Sequence, residues 1–239
     1  MKRFREIDAL RGVAIVLMIV FHVFYDLDFM NVYSINLRSG FWWFFPRMIA
    51  VLFITIMGVS LSFSHDDGKK EPRAYLMRGF RLFSLGVMIT LVTLLFAGAG
   101  YIRFGILHMI GVSTMIAYPF LEYKKTNLVL AVFIIAIGLL LRDFYFDFSY
   151  LLWLGLKPHG LYTLDYFPLL PWFGAVLIGI ASGNFLYPGH RRVFVPPPID
   201  SSLMQKMLVP LCYLGKHSLL IYLVHQPIII LFILSKKII

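Results

Sequence analysis

The sequence of 239 residues carries a single cysteine, Cys212. One thiol excludes an internal disulfide and any thiolate-rich metal centre. Charge is scarce as well: Asp, Glu, Lys and Arg make up 14% of the residues, against roughly 25% in a typical soluble domain. There is no nucleotide-phosphate loop, no zinc-protease pattern and no Gly-x-Ser-x-Gly elbow, which removes the common templates of soluble enzymes. Seven His are present, but they are too scattered to suggest a metal site. The basic start followed by an apolar run lacks a small-residue cleavage site, and Arg11 and His22 interrupt the run. The expectation is therefore no removable leader.

What is abundant is apolar surface. Hydrophobic residues account for 60% of the chain and the mean hydropathy is +0.82, which places it among integral membrane proteins. A span needs about 20 apolar residues, and by that measure the chain offers about seven spans, with six to eight as the range. They fall near 8–27, 42–63, 76–97, 102–121, 127–142, 166–187 and 212–234. The expected fold is thus all-α, a polytopic membrane helix bundle forming one domain over residues 1–239. The net charge of +10 is read as orientation in the bilayer and not as affinity for nucleic acid. Lys2, Arg3 and Arg5, then Lys69, Lys70, Arg73, Arg78 and Arg81, then Lys124 and Lys125, then His190, Arg191, Arg192 and Lys206 cluster in every second segment between the spans, on one side, which puts the N-terminus in the cytoplasm. Arg38 and Arg103 fall on the other side. Lys236 and Lys237 are the misfit, because an odd number of spans sends them outside.

Between the spans, HDDGKKEPR at 65–73 and FAGAG at 96–100 read as turns, and YPGHRRVFVPPPIDSS at 187–202 as a Pro-rich loop. FWWFFP at 41–46 suits an aromatic belt at the outer interface. The stretch 142–168 is aromatic, holds Asp143, Asp147, His159 and Asp165, and is too interrupted to span. It is expected to be an outer loop, a place where an acceptor could be gripped.

Against this background the first span, RFREIDALRGVAIVLMIVFHVFYDL, keeps polar groups. At 100° per residue, Asp8, Arg11, His22 and Asp26 fall in a stripe roughly 60° wide. His22 and Asp26 are four apart, so a carboxylate can hold the imidazole in one tautomer, as a general base requires. The plainer reading is a hydrogen-bonded pair joining helices, but ionisable groups in a bilayer are costly and mark function by default. Arg11 lies about 16 Å before His22 along the helix, near the cytoplasmic edge, where it either binds an anion or simply anchors the helix. Asp8 can pair with it. Arg78 and Arg81, on one face of the third span, suit phosphate or pyrophosphate, with orientation by charge as the alternative. Lys216 and His217 fall near the inner face. His225, just before Pro227, reads as a helix-packing group, and His108 in the fourth span is a second catalytic candidate on the acceptor side.

IDALRGVAIVLMIVFHVFYDL, RFGILHMIGVS and LGKHSLLIYLVHQP together resemble the prokaryotic relatives of heparan-α-glucosaminide N-acetyltransferase. The resemblance runs over nearly the whole chain. In the wider transmembrane acyltransferase superfamily an Arg is followed after ten residues by a His in the first span, and an Arg-x-x-Arg pair lies two spans later. Arg11 with His22, and Arg78 with Arg81, are similar to these. The resemblance implies acetyl transfer across the membrane. Acetyl-CoA would bind from the cytoplasm, with Arg78, Arg81, Arg11 and Lys216 near its phosphates and its thioester near His22. His22 would be general base or acetylated carrier, with Asp26 and His108 as the other catalytic candidates. The acceptor would be a hydroxyl or amine on a carbohydrate or amino sugar reaching the site from outside, in the plasma membrane. The pattern departs from the animal lysosomal members in that residues 29 to 40 contain no His. Membrane lipids are the expected surroundings, and assembly as a homo-oligomer stays open. The rival reading from the residues is a proton-coupled transporter or lipid-handling protein, in which His22, Asp26 and His108 form a proton relay; a non-catalytic membrane scaffold is a third.

Overall fold

The structure is a computed structural model and describes residues 4–37, 39–66, 71–193 and 202–237. Of the basic residues used for orientation, Lys2, Arg3, Arg38, Lys69 and Lys70 lie outside the described residues. The described chain is helical: α1 (Arg5–Phe29), α2 (Gly40–Asp66), α3 (Pro72–Ala97), α4 (Ile106–Ile116), α5 (Lys125–Leu140), α6 (Leu169–Leu186), α7 (Ser202–Lys216) and α8 (Ser218–Lys237). The strands β1 (Tyr145–Phe146) and β2 (Lys157–Pro158) form a two-residue parallel pair. Six of the helices, all but α4 and α7, are long and apolar enough to cross a membrane. The protein is an integral membrane helix bundle.

Two compact units divide the chain, one made of residues 1–56 with 196–239 and the other of 57–195. In the first, Ile15 and Met18 of α1 close on Phe45 and Ile49 of α2, with Ile221 and Tyr222 of α8 packed alongside. α7 crosses α1 at backbone contact. A Cβ on Gly12 would overlap the carbonyl of Leu211, and one on Gly215 the carbonyl of Asp8, so only glycine permits this approach. The pairing of 12 with 211 and 8 with 215 makes α7 antiparallel to α1, while the pairing of 18, 22 and 26 with 222, 225 and 226 makes α8 parallel to it. The expected span 212–234 is therefore corrected: it is two helices meeting at His217, because the chain reverses there. Because α8 runs with α1, the end carrying Lys236 lies toward the far end of α1, the placement that the positive residues alone do not favour.

In the second unit an 11-residue helix and its flanks lie along α3. From Ile102, whose amide donates to Thr93 Oγ1 at 3.0 Å, to Tyr118, whose ring lies 5.7 Å from that of Tyr75, the chain runs back along α3. Thr93 to Tyr75 is about 27 Å of helix at 1.5 Å per residue, close to the thickness of a bilayer core. α4 and its flanks together run back along α3 over about that length, although α4 itself is a shorter apolar helix than the six long enough to cross. α5 and α6 pack as a second antiparallel pair, Gly138 meeting Pro171 and Gly174 meeting Ala131. At one end of this unit Asn184 Nδ2 donates to Leu121 O and Asn127 Nδ2 to Phe120 O and Tyr123 O, each at 2.7 Å. That end carries Arg73, Arg78, Lys124, Lys125, Arg191 and Arg192. The opposite end is the irregular segment 144–168, laced to the α3–α4 turn by Leu164 N to Gly100 O and Phe167 N to Phe104 O, both 2.9 Å. The expected outer loop is thus a clasp of backbone hydrogen bonds.

Candidate functional site

The polar stripe of α1 is present, and within the first unit each of its members has found a partner. At the start of the helix Arg11 Nη1 donates to Asp8 Oδ1 at 3.0 Å and reaches Gly215 O at 3.5 Å. Gly215 sits in the last turn of α7, so the guanidinium faces the negative end of that helix. Lys216 follows and is exposed. Arg11 and Lys216 are thereby brought to one end of the unit.

Further along α1 the expected His22–Asp26 pair does not form. His22 Nδ1 donates to Met18 O at 2.9 Å, and both oxygens of Asp26 accept from Gln226 Nε2 of α8, at 2.8 and 2.9 Å. The reason is competition. An imidazole on a helix reaches the carbonyl four residues back, and Asp26, 3% exposed, takes an amide donor from the neighbouring helix. The imidazole is nevertheless held in one tautomer, by Met18 O. A carbonyl oxygen only accepts, so Nδ1 carries the proton and Nε2 of neutral His22 has a free lone pair, which is what a general base needs.

Facing His22 is His225, read from the sequence as a packing residue. Their rings stand edge to face with centroids 4.7 Å apart. His225 Nδ1 donates to Tyr222 O at 2.6 Å, so its Nε2 is likewise an acceptor. That Nε2 and Gln226 Oε1 are both buried with no hydrogen-bond partner. The sequence held one signal for this cluster: Gln226 is the one side-chain amide in α8, and a buried carboxylate on α1 needed a donor.

In the second unit Arg78 and Arg81 are exposed on α3, and neither is in an ion pair with a described carboxylate. Tyr75, one turn before Arg78, is 2% exposed and its hydroxyl has no partner. The two guanidiniums lie beyond the first turn of α3, so an anion here would be held by side chains and not by helix-terminal amides. His108 is differently placed. Its Nδ1 accepts from Gly105 N–H at 3.2 Å, and its Nε2 lies 3.4 Å from Thr90 Oγ1, which itself donates to Ile102 O at 2.6 Å. With Nδ1 accepting, the proton is on Nε2, and neither nitrogen keeps a free lone pair. Phe83, Phe104 and Gly86 enclose the ring. Asp165 completes the same helix end from the outer clasp, its Oδ2 accepting from Ile106 N–H at 3.0 Å. Burial pushes this carboxyl up to about 6, against the opposing pull of the Ile106 and Tyr166 amides.

The family model described as Heparan-alpha-glucosaminide N-acetyltransferase, catalytic, matches residues 3–227. No curated protein and no solved structure matches the chain. The match covers both units, and the chain belongs to this family of membrane acetyltransferases.

Proposed function

We propose that this member of the family acts as a single domain in the plasma membrane, moving the acetyl group of cytoplasmic acetyl-CoA to an amino or hydroxyl group of a sugar on the outer side. The observation that carries the reading is the fixed tautomer of His22, with Nδ1–H tied to Met18 O and Nε2 left basic in a polar cluster of a membrane helix. The acceptor gives its proton to His22 Nε2 as its lone pair bonds to the thioester carbonyl carbon. The C–S bond then breaks and the proton passes to the departing thiolate. Asp26, through Gln226, steadies the facing helix. Arg78 and Arg81 are assigned to the phosphates of the donor, and their exposure and lack of a described carboxylate partner support this. Arg11 and Lys216 are the other basic pair, and single substitutions measure their share of donor affinity. Positive charge at the Arg78 end of the second unit supports donor entry from the cytoplasm.

Purified protein in detergent is expected to bind CoA, and Arg78→Ala with Arg81→Ala to abolish that binding. His22→Ala should keep CoA affinity and lose acetyl transfer on the order of a hundredfold or more. Absence of CoA binding would sink the proposal and favour the proton-relay reading. Turnover retained in His22→Ala would remove His22 as the base, and the expected second candidate, His108, could take that place only by giving up its bond from Gly105 N–H.

A further inference from the structure

His22 and His225 meet across α1 and α8 with their rings edge to face, 4.7 Å between centroids. Each has its Nδ1–H on a carbonyl of its own helix, Met18 O at 2.9 Å and Tyr222 O at 2.6 Å, so each presents Nε2 as an unprotonated acceptor. The other tautomer in either ring would put a hydrogen on one Nε2 and let it donate to the other. The two backbone carbonyls prevent this and leave the pair one proton short. His225 Nε2 is buried without a donor, beside a ring that offers only a second acceptor. Such an arrangement costs stability while both rings are neutral. It turns favourable when His22 Nε2 takes up a proton, because the new N–H lies beside His225 and a charge-assisted hydrogen bond can form. A contact that is poor at rest and good once charge has developed is what lowers a barrier.

We propose that His225 Nε2 accepts a hydrogen bond from the proton that His22 removes, so that the two imidazoles form a proton-sharing pair. The kinetic consequence rests on the acyl-transfer reading, while the shared proton requires only the contact of α1 with α8. The proton leaves the acceptor as the acceptor's lone pair bonds to the acyl carbon. A nitrogen or oxygen so bonded is a weaker base, and His225 Nε2 then holds the proton on His22 against return. When the C–S bond breaks, the proton passes from His22 Nε2 to the thiolate sulfur and both rings are neutral again. His225 acts through His22 and is a positioning residue. The titratable neighbours of the pair are Tyr25 and Asp26 on α1 and Tyr222 on α8, and both oxygens of Asp26 accept from Gln226 Nε2. α2 brings the rings of Trp42 and Phe45 to this stretch of α1, and α7 brings Cys212 to Arg5 and Lys216 to the Asp8 end.

The test uses the purified full chain in detergent and two readouts. In ¹⁵N-histidine spectra followed through a pH titration without acetyl-CoA, the Nε2 signals of His22 and His225 should move together as a single proton enters the pair. With acetyl-CoA and glucosamine as the acceptor probe, His225→Phe should lower kcat about tenfold to a hundredfold, the worth of a hydrogen bond to a charged group. Its KM and its CoA affinity should stay near wild type, the second serving as the control for folding. His225→Gln, whose Oε1 can accept where Nε2 did, should regain most of the loss. Ring signals that move in separate steps, each with a full proton, would overturn the proposal. So would a kcat unaltered in His225→Phe, or one equally low in His225→Phe and His225→Gln. If the signals move together but the protein does not bind CoA, the acyl-transfer reading falls and the proton-sharing pair stands.

Discussion

His22 Nδ1 faces the carbonyl of Met18, and that contact separates two roles the side chain could play. His22→Asn keeps a donor for Met18 O but places nothing where Nε2 stood. If His22 is the base, this variant should unfold near the wild-type temperature yet lose transfer as fully as His22→Ala, and an acetylation assay beside a thermal melt distinguishes the two. His108 makes the opposite prediction. Its Nδ1 is the acceptor for Gly105 N–H in a buried setting, so His108→Leu strands that amide and should cost about 1–3 kcal/mol of stability, seen as a lower unfolding midpoint in detergent. The sequence placed His22 correctly on a polar face because helical periodicity is local. It could not assign the partner of Asp26, because Gln226 is 200 residues away, nor show that His108 closes a helix end, because the boundary of α4 depends on Asp165 arriving from another segment.

At the level of elements, the tightest joints are backbone to backbone. The crossing of α1 and α7 depends on Gly12 and Gly215, and Gly12→Leu should destabilise the folded protein by about 1–3 kcal/mol or more, read from its denaturation midpoint. The N-terminal end of α4 supplies a pH dependence. A carboxyl of ordinary value near 3.9 in the unfolded chain and about 6 in Asp165 binds more protons folded than unfolded between those values. Its favourable contribution is full below about 4 and is lost as pH rises through about 6. Asp165→Asn should therefore flatten the stability profile between pH 4 and 6, leaving the variant relatively more stable at the upper end. Helices such as α1 and α3 were legible from apolar length alone. The apolar stretch 102–121 was legible, but not its resolution into the short helix α4 with irregular flanks, since hydropathy records what contacts lipid and not what contacts α3. The division at His217 was hidden for a similar reason: both sides are apolar, and only the backbone approach of Gly215 to Asp8 turns the chain.

For the whole molecule, topology follows from directions within each unit. α8 runs parallel to α1, so a probe at Ser235 and one at Glu6 should label from opposite sides of the membrane. In the second unit Lys124 and Lys157 lie at opposite ends. With Cys212→Ser as background, single cysteines at these positions and a membrane-impermeant thiol reagent check both statements. Labelling of Glu6→Cys and Ser235→Cys from the same side would contradict the parallel arrangement. The positive residues from Arg5 to Lys206 fit an N-terminus on the cytoplasmic side, whereas Lys236 at the far end of α8 runs against them, so the labelling of Ser235→Cys is the decisive measurement.

The bond between Asp26 and Gln226 also imposes an order on biosynthesis. α1 is made first and α8 last, and at about 5–20 residues per second the ribosome needs roughly 10–40 s to supply the 200 residues between them. Throughout that interval α1 waits with a carboxylate that has no amide donor. A nascent chain stopped before Gln226 should leave α1 weakly inserted and open to quality-control proteases, and one extended past Gln226 should become resistant. Pulse-chase of stalled chains on either side of that residue would time the closure of the bundle.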